Sequence, residues 1–212
     1  MSQQARECLI IFTRYPEPGT TKTRLIPVLG AEGAATLQRQ MTEQKLAEAS
    51  KLQAVYPVSV EVHFTGGNEQ LMKEWLGSNL IYQRQSEGDI GCRMASAFQA
   101  SCAAGMDSVV LIGIDCPDLN DQLLAEAFQA LRQHDLVLGP ALDGGYYLIG
   151  LRRLIPELFT GIRWSTAEVL QQTLSIAQKL ELAVTKLPLL SDVDRPEDLS
   201  RLQLLSSDNC SY

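Results

Sequence analysis

Histidine is scarce in this chain: His63 and His134 are the only two among 212 residues. A zinc site built from several imidazoles is therefore excluded. The five cysteines (Cys8, Cys92, Cys102, Cys116, Cys210) are odd in number and widely spaced, with no Cys-x-x-Cys. That pattern argues against a disulfide framework or a thiolate zinc site, and for a reducing compartment. No apolar run approaches the ~18 residues a membrane span requires. Cys8 to Phe12 is too short for the core of a secretory signal, so a cytoplasmic location is expected. Internal repeats, low-complexity tracts and linker-like stretches are missing. Basic excess is also missing: 25 acids against 18 bases leave a net charge of −7. That balance excludes bulk electrostatic binding to nucleic acid or anionic membrane.

What is present is ordinary globular composition, 45% hydrophobic and 20% charged. A chain of this length buries about 70% of its unfolded surface without staples. It is expected to form one domain over 1–212, with a core at 6–205 and a frayed tail at 206–212. Charge is uneven along it. Residues 1–60 carry seven bases and five acids, and residues 61–212 carry eleven bases and twenty acids. The asymmetry fits either scattered surface charge or a site where an anionic ligand meets a cation.

Two continuous apolar runs, Cys8–Phe12 and Val109–Ile114, are rich in β-branched residues. Unbroken apolarity suits strands covered on both faces. Further strands are predicted at Val58–Thr65, Leu80–Arg84, Leu136–Ala141, Tyr146–Leu151 and Leu182–Leu187. Helices are predicted at Ala31–Leu52, Glu69–Leu76 and Cys92–Ala104. Asp121 is the expected cap of a helix to Arg132, and Ser165 of one carrying Val169 to Leu180 on a single face. Pro196 at a first helical position, with Asp194 near the cap, starts a last helix to about Leu205. Strand–helix alternation predicts an α/β fold with a largely parallel sheet. In such sheets ligands bind beyond the carboxyl ends of strands, which is where four polar clusters fall.

The first cluster, Arg14 to Leu25, follows the first strand. Pro16 and Pro18 stiffen it, Gly19 lets backbone amides approach a ligand, and Lys22 and Arg24 add charge near a helix start. Amides and cations so placed form a phosphate site, although a solvated surface loop has the same composition. Gly19-x-x-Lys22-Thr23 is not a P-loop, because Thr21 stands where Gly must precede Lys. No Gly-x-Gly-x-x-Gly occurs either. In the second cluster Asp115 ends a strand and offers hard oxygen to Mg²⁺ or Mn²⁺; Asp118 fits a ligand or a helix cap equally. In the third, Asp143-Gly144-Gly145-Tyr146-Tyr147, the sequence suits a hairpin turn or an aromatic wall for a sugar or base. In the fourth, Asp194 and Pro196 are explained by the helix start. Asp192 is not, which makes it the candidate for a second metal carboxylate. Gly88, Asp89 and Arg93 lie in a strand-to-helix loop able to meet a base or phosphate, or to serve as plain turn chemistry. Trp164 and Ser165 fit either an acceptor pocket or a core tryptophan beside a cap. Both histidines read as structural.

Taken in order, these stretches resemble a glycosyltransferase-like family associated with radical-SAM/selenodomain and arsenosugar-biosynthesis gene neighbourhoods. The matching motifs run from Phe12-Thr13-Arg14-Tyr15-Pro16-Glu17-Pro18-Gly19 and Lys22-Thr23-Arg24-Leu25 through Gly88–Met94, Gly113–Leu119, Gly139–Tyr147 and Trp164-Ser165-Thr166. Asp192-Val193-Asp194-Arg195-Pro196-Glu197-Asp198-Leu199 closes the series. The resemblance spans nearly the whole chain. It implies the three-layer GT-A (nucleotide-diphospho-sugar transferase) fold with a mostly parallel mixed sheet. It is more distantly similar to the phospholactate guanylyltransferase and related nucleotidyltransferases.

The resemblance implies that Lys22 and Arg24 contact nucleotide phosphates. Asp115 with Asp192 or Asp194 would hold Mg²⁺ or Mn²⁺, and Asp143 to Tyr146 would face the donor sugar or the acceptor. The expected activity is metal-dependent transfer from a nucleotide sugar to a small-molecule acceptor, with Asp143 as general base. The alternatives are nucleotidyl transfer from an NTP to a phosphorylated acceptor, with release of pyrophosphate, and nucleotide binding without catalysis. Arg195 departs from the family's Asp-x-Asp-Thr-Pro pattern and puts a cation beside the proposed metal carboxylates, either competing with the metal or pointing to solvent. A homodimer is left open.

Overall fold

The computed structural model describes residues 6–200. The expected tail at 206–212 and the end of the last predicted helix lie outside them. Every strand joins one seven-stranded sheet: β1 (Glu7–Arg14), β2 (Ser59–Thr65), β3 (Ile81–Arg84), β4 (Ser108–Ile112), β5 (Leu136–Pro140), β6 (Tyr146–Leu151) and β7 (Val184–Lys186). Their spatial order is β3-β2-β1-β4-β6-β5-β7. β6 alone is antiparallel, paired with β4 through Ile112–Leu148 and with β5 through Gly139–Leu148. The other pairings are parallel. The mostly parallel mixed α/β sheet expected from sequence is therefore the observed one.

The apolar runs serve both faces of this sheet. Leu9, Ile11, Val110 and Ile112 point into one core with α1 (Ile26–Val55) and α4 (Asp121–Ala130). Cys8, Ile10, Phe12, Val109 and Leu111 point into the other, where Met94 and Phe98 of α3 (Ile90–Ala103) and Ala177 of α5 (Val169–Lys179) meet them. Alternate side chains of one strand go to opposite faces, so an unbroken run is what a doubly covered strand needs. A short helix, α2 (Glu69–Leu76), closes a smaller cluster with Val62, Phe64 and Tyr82 at the β3 edge. No described helix is long and apolar enough to cross a membrane.

Several helix starts differ from expectation. The helical stretch α1 starts at Ile26, but Gly30 within it is non-helical (φ 71°, ψ 169°), so its long continuous part begins at Ala31 as expected. α3 begins at Ile90, with Asp89 as its N-cap accepting from the Cys92 N–H at 2.8 Å. Asp121 is the first residue of α4, not its cap; the Asn120 side chain accepts from Leu123 N–H at 3.0 Å. Ser165 caps nothing. It has φ +61° and lies three residues before Glu168, the actual N-cap of α5. At the last helix start Pro196 takes the first helical position and Asp194 stands beside the cap, as expected; Arg195 is the N-cap, and the Asp198 carboxylate accepts from its N–H at 2.9 Å.

Candidate active site

The carboxyl ends of β1 and β4 lie side by side, and the chain beyond each turns over the sheet edge. Beyond β1 the loop holds itself with local bonds: Arg14 Nη1 donates to Thr20 O at 3.1 Å, and Thr20 and Thr21 hydroxyls donate to Glu17 O. Lys22 then adopts a left-handed backbone (φ 42°) that sends its side chain inward. Its Nζ donates to Asp115 Oδ1 and to Val193 O, both at 2.8 Å. The Lys22 side chain is 4% exposed and that of Asp115 49%, so the pair has a buried cation and an open carboxylate. The Val193 N–H donates to Asp115 O at 2.8 Å, fastening the segment after β7 to the segment after β4. Next to it, the guanidinium of Arg24 pairs with Asp194.

The antiparallel β6 brings a third segment to the same edge. The five-residue turn between β5 and β6 holds Asp143, whose Oδ1 accepts from the Gly145 N–H at 2.8 Å. Gly144 has φ +88°, and a Cβ there would lie 2.2 Å from the Ala167 carbonyl oxygen. Only glycine fits that contact. The Gly144 carbonyl in turn accepts from Leu170 N–H at 2.9 Å, tying the turn to α5.

These segments enclose adjoining clefts. One, of about 340 Å³, is lined by Arg14, Lys22, Arg93, Gln85 and Asp115, between the β1 loop and the start of α3. Arg93 is oriented by its Nε–H bond to Gly88 O at 3.0 Å. The second, of about 240 Å³, lies on the far side of Asp115. Asp115, Asp143 and Asp192 share it with Tyr146, Trp164 and Met94. The indole of Trp164 packs against α3 at Gly91, where a Cβ would fall 2.4 Å from its Nε1. A third, of about 530 Å³, is lined by Arg24, Arg195, Asp194 and Glu197 together with Asp143 and Asp192.

Burial raises the Asp192 carboxyl above its ordinary pKa, and the Asp143 and Asp115 charges push it the same way. Tyr146 is held as a neutral phenol by burial. Cys116, also lining this cavity, is pushed upward by burial first and by Asp192 and Asp115 next, so it stays a thiol.

The structure thus brings Arg14, Lys22, Arg24, Arg93, Asp115, Asp143, Gly145, Tyr146, Trp164, Ser165, Asp192 and Asp194 to one edge. Pro18 and Gly19 line none of the three clefts, nor do Gly88, Asp89 and Gly144; Asp89 is a helix cap and Gly144 a packing contact. Among the described residues, no three His, Cys, Asp or Glu side chains form a ready-made ion site. Arg24 occupies Asp194, whereas Asp115 and Asp192 face a common cavity. Asp115, Asp143 and Asp192 are the acids left to hold a divalent cation, and Lys22 Nζ already occupies one oxygen of Asp115.

Sequence reasoning passed over Lys45, Gln38 and Gln85. Lys45 is fully buried; its Nζ donates to Leu119 O at 2.7 Å and Pro117 O at 3.1 Å, bracing the loop that follows Asp115. Gln38 Nε2 donates to Arg14 O and Thr13 Oγ1, both at 3.1 Å, and Gln85 Nε2 to Thr13 O and His63 O. A signal for Lys45 and Gln38 existed: both fall in the buried stripe of α1 that includes Leu37, Met41, Ala49 and Leu52.

A family model described as an uncharacterized protein conserved in bacteria (DUF2064) matches residues 46–166. The chain belongs to the DUF2064 family. A crystal structure from Desulfovibrio desulfuricans G20, described as a candidate nucleotide-diphospho-sugar transferase, is 36% identical. That match covers 98% of this chain and 91% of the other, with a TM-score of 0.87. Two more distant structures share the fold. One is the 4-diphosphocytidyl-2C-methyl-D-erythritol synthase of Anaerococcus prevotii DSM 20548, at 11% identity, TM-score 0.65, and 96% and 97% coverage. The other is the inositol-1-phosphate CTP transferase of T. maritima, at 16% identity, TM-score 0.62, and 98% and 97% coverage. A search of curated proteins found no match. The architecture of this DUF2064 chain is thus the nucleotide-diphospho-sugar transferase (GT-A-like) fold. The β1 loop and the segment around Asp192 and Asp194 lie outside the stretch matched by the family model.

Proposed function

We propose that this DUF2064 chain is a transferase that takes an activated group from a nucleotide donor, and that the group is a sugar. The observation that carries the reading is the Lys22 ammonium, buried between Asp115 Oδ1 and Val193 O where three segments meet. It borders a cleft that also holds Arg14 and Arg93, a cationic lining suited to a diphosphate. The resemblance to a candidate nucleotide-diphospho-sugar transferase supports it.

In this reading Arg14, Lys22 and Arg93 bind the donor diphosphate. Asp115 and Asp192 would hold Mg²⁺ or Mn²⁺, which when bound offsets the charge growing on the departing nucleotide. The acceptor oxygen forms a bond to the anomeric carbon as the bond from that carbon to the diphosphate breaks. The nucleoside diphosphate leaves with the electron pair, and the acceptor proton passes to Asp143. The Gly145 N–H orients the Asp143 carboxylate for that role.

The test is a thermal-shift panel of nucleotides and nucleotide sugars with Mg²⁺ or Mn²⁺, followed by calorimetric titration of the best binder. Asp115→Ala is expected to abolish metal-dependent binding; unchanged binding would overturn the assignment. Nucleoside diphosphate as product marks glycosyl transfer, and pyrophosphate from an NTP marks nucleotidyl transfer in its place.

A further inference from the structure

The aromatic cavity beyond Asp115 carries a charge pattern that restricts what can enter it. Asp115, Asp143 and Asp192 all line it, and among the described residues no Lys or Arg does. The nearest ammonium, Lys22, is already bound to Asp115. Arg14 and Arg93 line the neighbouring cleft instead. Arg24 and Arg195, in the third cleft, stand among Asp192, Asp194, Glu197 and Asp198, and Arg24 is paired with Asp194. A divalent ion together with the Lys22 ammonium only matches the three carboxylates in charge, leaving no positive excess on this side.

Apart from the Ser165 and Thr166 hydroxyls, the remaining walls are mostly apolar. Trp164, Tyr146, Met94 and Ile90 contribute to them, and Trp164 is held in place by its contact with Gly91. A flat apolar face against Trp164 and a neutral or cationic polar group toward the carboxylates satisfy these walls together. A phosphate or carboxylate there is repelled by the carboxylates and meets no Lys or Arg of the lining to compensate it.

We propose that this cavity takes an acceptor that is neutral or cationic, with an apolar or aromatic face, and that it excludes phosphorylated acceptors. The proposal deepens the sugar-transfer reading above and rests on it for the word acceptor. The charge selection itself is a property of the cavity.

The test uses the full chain with Trp75→Phe, which leaves Trp164 as the sole tryptophan reporter. Three probes with one aryl frame are titrated by fluorescence: tyramine, 4-hydroxyphenethyl alcohol and 4-hydroxyphenethyl phosphate. The amine and the alcohol are expected to bind at least tenfold more tightly than the phosphate. The amine's advantage over the alcohol should shrink in 0.5 M NaCl, as screening predicts. The isosteric pair Asp143→Asn and Asp192→Asn should bring the three affinities within about threefold, with the circular dichroism spectrum unchanged. Equal or tighter phosphate binding, discrimination that survives both Asn substitutions, or no response to any probe overturns the proposal. The nucleotide panel reads the neighbouring cleft, so loss of the donor reading and loss of the charge selection are separable results.

Discussion

Replacing Lys45 with Met probes how the loop after Asp115 is braced. Burial lowers the Lys45 pKa from 10.5 to about 8, a difference of about 3 kcal/mol between folded and unfolded chains. Met has a similar shape and carries no charge to bury. The substitution removes the donor to Leu119 O and one of two donors to Pro117 O, because Gln44 Nε2 also reaches Pro117 O at 3.2 Å. One orphaned buried carbonyl costs roughly 1–3 kcal/mol. At pH 7 Lys45→Met is therefore expected to be neutral or stabilising, by up to about 2 kcal/mol.

The balance changes with pH. A lysine with a depressed folded pKa contributes stability above its unfolded pKa and loses it as pH falls through the folded value. Between pH 8 and 10.5 the wild-type chain should gain on the variant by about 1.4 kcal/mol per pH unit. It should overtake the variant within that window and end about 1–3 kcal/mol ahead. Urea denaturation of both proteins at half-unit steps from pH 6.5 to 10.5 measures this. The difference between the two curves removes the titrating groups that do not interact with Lys45. Parallel curves, or a variant less stable at every pH, would refute the account of a buried ammonium held by carbonyls.

Two further substitutions test local readings. Gly91→Ala should push the Trp164 ring off α3, shift its fluorescence to the red and cost about 1–3 kcal/mol; an unshifted spectrum would mean the contact is looser than described. Asn120→Ala should cost about 1 kcal/mol by urea titration and Asp121→Ala a few tenths, because Asn120 is the cap of α4; the reverse order would restore Asp121 to that role.

The strands were legible because burial on both faces demands unbroken apolar runs, and Cys8–Phe12 and Val109–Ile112 obey that demand. Their order was not. The insertion of antiparallel β6 between β4 and β5 depends on long-range pairing that no local period records. Helix starts slipped by a few residues where two capping residues stood together, as with Asn120 and Asp121. The polar clusters announced the site edge, since Asp115, Asp143 and Asp192 have no apolar pattern to explain them. Which partner each one takes was invisible. Lys22 and Asp115 are 93 residues apart, and Arg24 and Asp194 are 170 apart. Sequence left Arg195 either to compete with a metal or to point to solvent; the structure makes it a helix N-cap, and Arg24 is the cation that pairs with Asp194.

Those long separations bear on when the site comes into being during synthesis. The Lys22 ammonium, the Val193 carbonyl and the Asp115 backbone close a ring made from early, middle and late parts of the chain. A nascent chain that has grown past α4 already contains β1, β2, β3 and β4, the parallel half of the sheet. Until Val193 and Asp194 emerge it lacks the carbonyl that holds Lys22 and the carboxylate that holds Arg24. Folding that proceeds from the amino terminus therefore builds the scaffold first and completes the ring only near the end of translation. A stalled or shortened chain would be folded in part, with the ring around Lys22 still open.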